Sequence, residues 1–275
     1  MISDFLVPLV ADWPLAFRIL AIALAVAVLV MARYGLLTAI GFGIGQLVGK
    51  LAPHRRLQPI PFTREQIKRE IFHSMSSVLI FTLVIGLIFL LTQAGWTRIY
   101  QQPDALGWAW FCLQIPMALL IQDFYFYWMH RLIHTPGLYE RIHSTHHVST
   151  NPSAFAAFAF HPIEAFLEIA VFIALVMVFP MNPTALIIVG LISLMFNVYG
   201  HLGYEIMPRF IAKSPLGYIL NTSAYHNQHH RAFKCNYGLY TVIWDRMFGT
   251  LHPKAEQVYD RKTQRPVSSE AATQA

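Results

Sequence analysis

Long apolar stretches alternate with short polar connections along most of the chain. A helix needs about 20 apolar residues to cross the hydrocarbon core of a bilayer, and several stretches reach that length. The part of the first stretch after Arg33 also fits a tilted or interfacial segment. The pattern predicts an all-α integral membrane protein with about four to five transmembrane helices. The predicted spans lie within residues 15–48, 74–96, 106–129, 163–180 and 184–200.

Composition supports a membrane protein and argues against a nucleic-acid partner. Hydrophobic residues make up 56% of the chain and charged residues 12%, whereas soluble domains carry about 25% charged residues. The formal net charge is +6, which by itself could indicate nucleic-acid binding. Because the chain is so apolar, a basic face against lipid head groups is the better interpretation.

Basic residues in the connections predict the orientation in the membrane. Cytoplasmic loops are enriched in Lys and Arg, and the connection 49–72 is rich in both, whereas 97–105 holds only Arg98. Residues 49–72, 130–162 and 201–275 are therefore predicted to be cytoplasmic, with the N-terminus outside if the first stretch crosses once. The basic residues of 49–72 are Lys50, Arg55, Arg56, Arg64, Lys68 and Arg69.

Eight histidines occur in three tight clusters, and all three fall in the predicted cytoplasmic segments. The first cluster, "HRLIH", has a spacing of four, and the other two, "HSTHH" and "HNQHH", have spacings of three and four. On a helix, each of these spacings places the side chains on one face. The clustered histidines are His130, His134, His143, His146, His147, His226, His229 and His230.

Metal binding is the interpretation that best explains this clustering. Neutral imidazole is the commonest metal ligand, and eight exceed the four ligands of a tetrahedral zinc site, so the number favours two metal ions. Imidazole-rich sites suit iron, zinc, copper and nickel alike. A pH sensor or an anion-binding surface is the alternative. The isolated His54, His73 and His252 are predicted to be ordinary surface or packing residues.

Six motifs between about residues 106 and 252 resemble, in order, the signatures of the fatty acid hydroxylase/sterol desaturase superfamily. They are "DFYFYWMHRLIH", "LYERIHSTHH", "FHPIE", "GHLGYE", "HNQHH" and "NYGLYTVIWDRMFGT". The resemblance implies two non-haem iron ions held mainly by histidine, with O2 as co-substrate, acting on unactivated C–H bonds of lipids. It divides the chain into N-terminal membrane helices with the basic loop (1–105), a catalytic region (106–253) and a tail predicted to be mobile (254–275).

The resemblance also implies a set of metal ligands, and the distribution of basic residues predicts that they lie on a cytoplasmic helical cap. The resemblance assigns the ligand role to the eight clustered histidines and to one more, His201 in "GHLGYE". Some relatives have a further histidine four residues earlier, where this chain has Asn197, so the two metal sites need not be alike.

Five residues are candidates for supporting the metal ligands. Metal-bound imidazoles usually donate their other N–H to a carboxylate or carbonyl. Carboxylates at three positions are candidate acceptors, with a buried ion pair to Arg131 or Arg246 as the alternative. His161 in "FHPIE" could be a supporting group, a ligand or a helix cap. The candidates are Asp123, His161, Glu164, Asn197 and Asp245.

The predicted function is a membrane-bound diiron oxygenase that hydroxylates or desaturates a fatty acyl or sterol-like lipid. The sequence contains no haem domain, no nucleotide-binding glycine motif and no cysteine cluster for iron–sulfur. A separate electron donor is therefore expected, a ferredoxin or a cytochrome b5-type protein with its reductase. The compact chain favours a bacterial inner membrane. The alternatives are a membrane metal-binding or metal-transport protein, which needs ionisable residues along its spans, and a zinc hydrolase.

Overall fold

The computed structural model describes Asp12 and residues 14–264, and this part of the chain is all-helical, with isolated β-bridges but no β-strand. The eleven α-helices are numbered here in chain order. They are α1 (Leu15–Leu51), α2 (Arg64–Gln93), α3 (Trp108–Ile133), α4 (Ser144–His147), α5 (Pro162–Val178), α6 (Pro183–Gly200), α7 (Arg209–Ala212), α8 (Pro215–Ile219), α9 (Ser223–Ala232), α10 (Ile243–Met247) and α11 (Ala255–Thr263).

Four helices, α1, α2, α3 and α6, are long and apolar enough to cross a membrane. The fifth predicted span corresponds to α5, which has 17 residues and is shorter than the usual spanning length. Helix α1 continues without a break through Arg33 to Leu51, so the first stretch forms a single helix of 37 residues. Helix α2 begins at Arg64, before its apolar stretch, because the Thr63 hydroxyl accepts a hydrogen bond from the Gln66 N–H and caps it.

The long helices carry large apolar side chains on their outer surfaces. Leu36 is 63% exposed, Leu83 is 60% exposed and Leu120 is 55% exposed. Continuous apolar surface of this kind is unfavourable in water and is expected where lipid covers the protein. The outer faces therefore confirm the prediction of a membrane protein.

The interior is built where the chain after α4 folds back between the spans. A 3-10 helix, Ala154–Phe158, packs against α1, α2 and α6. The Phe158 ring stacks on Tyr34 at 5.4 Å and meets Phe81 edge-on at 4.8 Å. The buried Glu70 accepts a hydrogen bond from the Ser153 hydroxyl. These contacts fix the segment that follows the second histidine cluster.

All histidine clusters gather at one end of the helices. Helix α3 ends beside His134 and α6 ends beside His201. The basic loop lies at the same end, since the Gln58 amide donates to the Pro152 carbonyl and the Leu57 N–H donates to the Gly203 carbonyl. The grouping of these segments on one side agrees with the charge pattern.

The predicted mobile tail is wrong for the part of it that the structure describes. Residues Ala255–Thr263 form α11, whose Ala255 and Tyr259 side chains are buried against α9. The Tyr259 hydroxyl donates to the Met207 carbonyl at 2.9 Å. A spacing of four residues gives this polar helix one buried face, and tertiary packing stabilises it more than its composition suggests. Residues 265–275 lie outside the described part.

Candidate metal centre

The nine predicted histidines come together as two adjoining groups. In each group, one ring nitrogen of every histidine lies within 4.8 Å of the others. Seven of the nine side chains are buried, and His134 and His226 are half-buried. The isolated His54, His73 and His252 belong to neither group. The first group is His130, His134, His143, His147 and His229, and the second group is His146, His201, His226 and His230.

Each "HxxHH" cluster is divided between the two groups, although the spacing predicted a single face. His143 and His147 enter the first group, while His146 enters the second. The later cluster does the reverse, with His226 and His230 in the second group and His229 in the first. Neighbouring helical residues point about 100° apart, so each cluster reaches both groups and links them.

Local structure sets the direction of each cluster. His130 lies in the last turn of α3, and a π-helical turn over Tyr139–His143 leads into the short α4. Helix α9 begins at a Thr222 cap, and its Ala224 N–H donates to the buried Glu205 carboxylate at 2.9 Å.

Close approach of α6 and α9 depends on Gly200. A Cβ atom at this position would lie 2.9 Å from Cδ2 of His226, which is closer than real Cβ contacts allow. The bare backbone of Gly200 therefore lets the third histidine cluster approach the end of α6.

Backbone carbonyls fix the outer nitrogen of three histidines. Nδ1 of His130 lies 2.9 Å from the Tyr237 carbonyl, and Nδ1 of His229 lies 2.7 Å from the Cys235 carbonyl. Nδ1 of His201 lies 2.6 Å from the Asn197 carbonyl. A carbonyl can only accept, so each Nδ1 carries the proton and Nε2 of the neutral ring presents a lone pair inward.

Burial keeps these rings neutral near pH 7. Loss of solvation lowers the pKa of His229 and His230 well below the usual value, and repulsion between neighbouring imidazoles lowers it further. Burial lowers the pKa of His201 to about 4. The neutral imidazole is the form that binds a metal.

The inward nitrogens converge in a manner that fits metal ions. In the first group, Nε2 of His143 lies 3.1 Å from Nε2 of His130 and 3.0 Å from Nε2 of His147. In the second, Nε2 of His201 lies 3.1 Å from Nε2 of His226 and 3.2 Å from Nε2 of His230. Lone pairs that face each other repel unless a cation lies between them. Adjacent imidazole nitrogens bound to one tetrahedral zinc at about 2.05 Å lie about 3.3 Å apart, close to these separations, so each group could hold one metal ion.

Glu164 is the one predicted carboxylate that contacts a histidine. Its Oε1 lies 2.6 Å from Nδ1 of His143, and both side chains are buried. This contact fixes the ring of His143 and increases its basicity as a ligand. Asn197 also supports a histidine, through its backbone carbonyl to His201.

Asp123 and Asp245 do not contact the histidines directly, contrary to the prediction. Asp123 accepts hydrogen bonds from the Tyr240 N–H and the Trp244 indole, and Asp245 accepts from the Tyr237 and Gly238 N–H groups. Together they hold the loop 235–241, whose carbonyls orient His130 and His229. Sequence pattern cannot show this, because the contacting groups belong to the backbone.

The ion-pair alternative for these carboxylates does not occur either. Arg246 pairs with Glu256 at 2.8 Å, and Arg131 donates to the Tyr127 hydroxyl at 3.2 Å. His161 caps helix α5, where its Nδ1 accepts a hydrogen bond from the Ile163 N–H. Of the three roles considered for it, the structure therefore shows the helix cap.

Two aromatic residues that sequence analysis missed cover the first group. The Phe233 ring lies 4.9 Å from the His147 ring, and the Tyr139 ring lies 5.9 Å from Phe233. Phe233 has a φ of 62°, a left-handed conformation that is costly for a residue with a side chain. The sequence alone does not indicate that a phenylalanine adopts a positive φ.

A narrow cavity lies on the membrane side of the histidines, between α3, α5, α6 and the loop 235–241. Its wall includes histidines from both groups and otherwise is mainly apolar. The cavity gives a lipid carbon a place beside the candidate metal sites. The wall also includes Phe126, Phe160, Glu168, Phe196, Asn197 and Leu239.

Comparison with known proteins identifies the family. The Fatty acid hydroxylase family matches residues 115–250. A Delta(7)-sterol 5(6)-desaturase of Aspergillus fumigatus is 31% identical over 204 residues, which is 74% of this chain and 55% of that protein. Another Delta(7)-sterol 5(6)-desaturase, from Gibberella zeae, is 30% identical over 197 residues, 71% of this chain and 59% of that protein.

Lathosterol oxidase of Mus musculus is 29% identical over 205 residues, 74% of this chain and 67% of that protein. The matched part thus spans between about half and two thirds of these relatives. No solved structure matches significantly. The family match covers the histidine clusters and confirms the resemblance seen in the sequence. The chain belongs to the fatty acid hydroxylase/sterol desaturase superfamily.

Proposed function

We propose that the protein is a membrane-bound non-haem diiron oxygenase that hydroxylates or desaturates a lipid, using O2 and electrons from a separate donor. The observation that carries the proposal is the convergence of nine largely buried imidazoles into two groups beside an apolar cavity. Desaturases and an oxidase among the relatives support an oxidoreductase that acts on lipids.

In this proposal the first group holds one iron and the second group holds the other. Imidazole ligands alone do not distinguish iron from zinc, copper or nickel. Iron is favoured because the relatives are named for oxidative reactions, which zinc, having no redox chemistry, does not support. When bound, the two irons would activate O2 and remove hydrogen from an unactivated C–H bond.

The chain itself has three tasks in the reaction. Glu164 and the carbonyls of Tyr237 and Cys235 orient ligand rings through their outer nitrogens. The linked histidine clusters hold the two groups at a fixed separation. The aromatic wall at Phe126 and Phe160 keeps water from the C–H bond that reacts, which protects a strong oxidant from side reactions.

The substrate is a lipid that reaches the cavity from the bilayer. A sterol is the first candidate, since the relatives are named for sterol desaturation, and a fatty acyl chain is the second. Hydroxylation and desaturation share the removal of hydrogen from a C–H bond, so the metal-binding residues alone do not separate them.

We propose a cytoplasmic position for the histidine end of the molecule because the basic loop 49–72 lies at that end. A ferredoxin or a cytochrome b5-type protein with its reductase would deliver electrons there, and its acidic surface would be attracted to the basic face. The relatives described above are fungal and mammalian, and the bacterial inner membrane stays a prediction.

Lipid analysis with isotopic oxygen tests this function. Cells that express the chain under 18O2 should accumulate a lipid that gains one 18O atom if the reaction is hydroxylation, or loses two hydrogens if it is desaturation. His229→Ala should abolish the product, and His54→Ala, outside both groups, should retain it. The proposal is contradicted if wild type and His229→Ala give the same lipid profile in cells that contain both candidate donors.

A further inference from the structure

Two polar side chains in the cavity have no hydrogen-bond partner in the described part of the chain. Glu168 lies on α5 and Asn197 on α6, and both contribute to the cavity wall. Neither the Glu168 carboxyl nor the Asn197 side-chain amide makes a hydrogen bond to another described residue. Polar groups away from water are normally paired, so these two need a partner from outside the chain.

Both residues lie one helical turn from the histidines, on the membrane side. Glu168 follows by four residues Glu164, which contacts His143, and Asn197 precedes His201 by four residues. Four residues of helix span about 6 Å. Since α5 and α6 both pack against α3 and line one cavity, the two side chains stand at a similar depth from the candidate metal sites.

Two other polar side chains close to the cavity, Gln122 on α3 and Tyr199 on α6, have hydrogen-bond partners within the protein, unlike this pair. The Gln122 amide donates to the Ser193 hydroxyl and accepts from the Tyr240 hydroxyl. The Tyr199 hydroxyl donates to Glu205. An ionisable side chain that is away from water and has no partner is costly and is often functional. Glu168 therefore has a cost that no internal contact offsets.

The surrounding chemistry favours an uncharged polar group as the partner. Neither Glu168 nor Asn197 offers a positive charge to a phosphate or carboxylate, whatever the protonation state of Glu168, and metal ions bound by the histidines would repel an ammonium group. A hydroxyl group suits both residues, because it donates to the Glu168 oxygen and accepts from the Asn197 amide. The apolar remainder of the wall, including Phe196 and Leu239, fits the hydrocarbon that carries such a hydroxyl.

We propose that Glu168 and Asn197 form a hydroxyl-binding subsite that positions the lipid relative to the metal centre. The assignment rests on the proposed function and narrows its substrate class to lipids with a hydroxyl group near the oxidised carbon, within about one helical turn of it. The two residues are positioning residues, since they hold the lipid and do not take part in the redox step.

Binding of lipid pairs that differ by one hydroxyl group tests the subsite. Iron-loaded protein in mild detergent is titrated, with native mass spectrometry as the readout, using lathosterol and 5α-cholest-7-ene, 1-octadecanol and octadecane, and 2-hydroxystearate and stearate. In at least one pair the hydroxylated lipid should bind wild type about tenfold more tightly, as expected for one buried hydrogen bond. Equal binding within all three pairs overturns the proposal.

Variants at Glu168 separate a hydrogen bond from general packing. Glu168→Leu should remove the preference for the hydroxylated lipid, and Glu168→Gln should keep most of it because the amide oxygen still accepts. Phe166→Leu, on the exposed face of the same helix, is the matched control and should keep the full preference. A preference that survives in both Glu168→Leu and Asn197→Leu overturns the subsite.

The iron content of each variant distinguishes the subsite from the proposed function. It should equal that of wild type in all four variants, since Glu168 and Phe166 make no hydrogen bond to a candidate ligand and Asn197→Leu keeps the backbone carbonyl that holds His201. If wild type binds no iron, the diiron proposal fails, while the hydroxyl preference can still be measured on the same protein.

Discussion

The two histidine groups differ in how firmly their ligands are held. The first group has five imidazoles, and three of them are fixed from behind by Glu164 or by backbone carbonyls. The second has four, and only His201 has such a partner in the described structure, the Asn197 carbonyl. Outer contacts of this kind determine metal affinity and ring orientation. The first group should therefore bind its metal more tightly, and the second should more readily offer a free coordination position.

Loss of a histidine that links the two groups should cause the largest decrease in activity. His229 belongs to the first group but comes from the cluster that mainly supplies the second. His229→Ala should lower lipid oxidation by more than about 100-fold, because ligand loss exceeds the 10- to 100-fold typical of an outer contact. Product formation per mole of protein, measured by mass spectrometry, checks this. Activity within tenfold of wild type would show that the two groups do not act together.

Glu164→Gln should weaken metal binding by the first group and leave metal binding by the second group unchanged. The amide cannot supply the negative charge that the carboxylate places beside His143, so affinity for the first metal should fall about 10- to 100-fold. Competition with a chelator, followed by elemental analysis, measures this affinity. Glu256→Gln, at an exposed carboxylate that pairs with Arg246 and not with a histidine, is the control. A loss of equal size in both groups would contradict the difference described here.

Chelation should release the two metals at different rates. We expect one iron to leave about tenfold faster than the other, because the second group has fewer fixed ligands. A chromogenic ferrous chelator under anaerobic conditions follows the release. His226→Ala should remove the fast phase, and His134→Ala should remove the slow phase. The reverse assignment would show that the second group is the tighter site.

Acid should destabilise the metal-free protein through the histidines of both groups. This effect should be smaller than the effects of the substitutions and of chelation described above. Burial lowers the pKa of His201 to about 4, below the unfolded value of about 6.5. As pH falls from 6.5 towards 4, the unfolded chain binds protons that the folded chain does not, and stability decreases. The melting temperature should drop between pH 7 and pH 5 without metal and change less with iron bound. A melting temperature that rises on acidification would contradict neutral, buried imidazoles.

Sequence identified the candidate histidines and the long helices because their patterns are local. Spacings of three and four residues, and runs of apolar residues, are properties of single helices, and they indicated the eight clustered histidines and the four long helices. The family resemblance added His201, and the role of all nine histidines as metal ligands stays a prediction. The division of each "HxxHH" cluster between two groups depends on where neighbouring helices lie. It could not be predicted from periodicity, which suggested one face for His143, His146 and His147.

Backbone contacts and tertiary packing account for the other differences. Asp123 and Asp245 act through a loop whose carbonyls face the histidines. Because every residue has a backbone carbonyl, the sequence does not indicate which carbonyls do so. Helix α11 packs through Ala255 and Tyr259, although its polar sequence indicated a tail. The pairing of Glu168 and Asn197 across the cavity likewise depends on α5 and α6 both packing against α3.

Iron content per chain tests the central claim most directly. Protein purified in mild detergent, loaded with ferrous iron without air and measured by elemental mass spectrometry, should contain about two irons, as the two groups of ligands require. His229→Ala and His226→Ala should each retain about one, and His54→Ala should retain both. Zero or one iron in wild type, unchanged by either substitution in the groups, would contradict a two-metal centre built from these histidines.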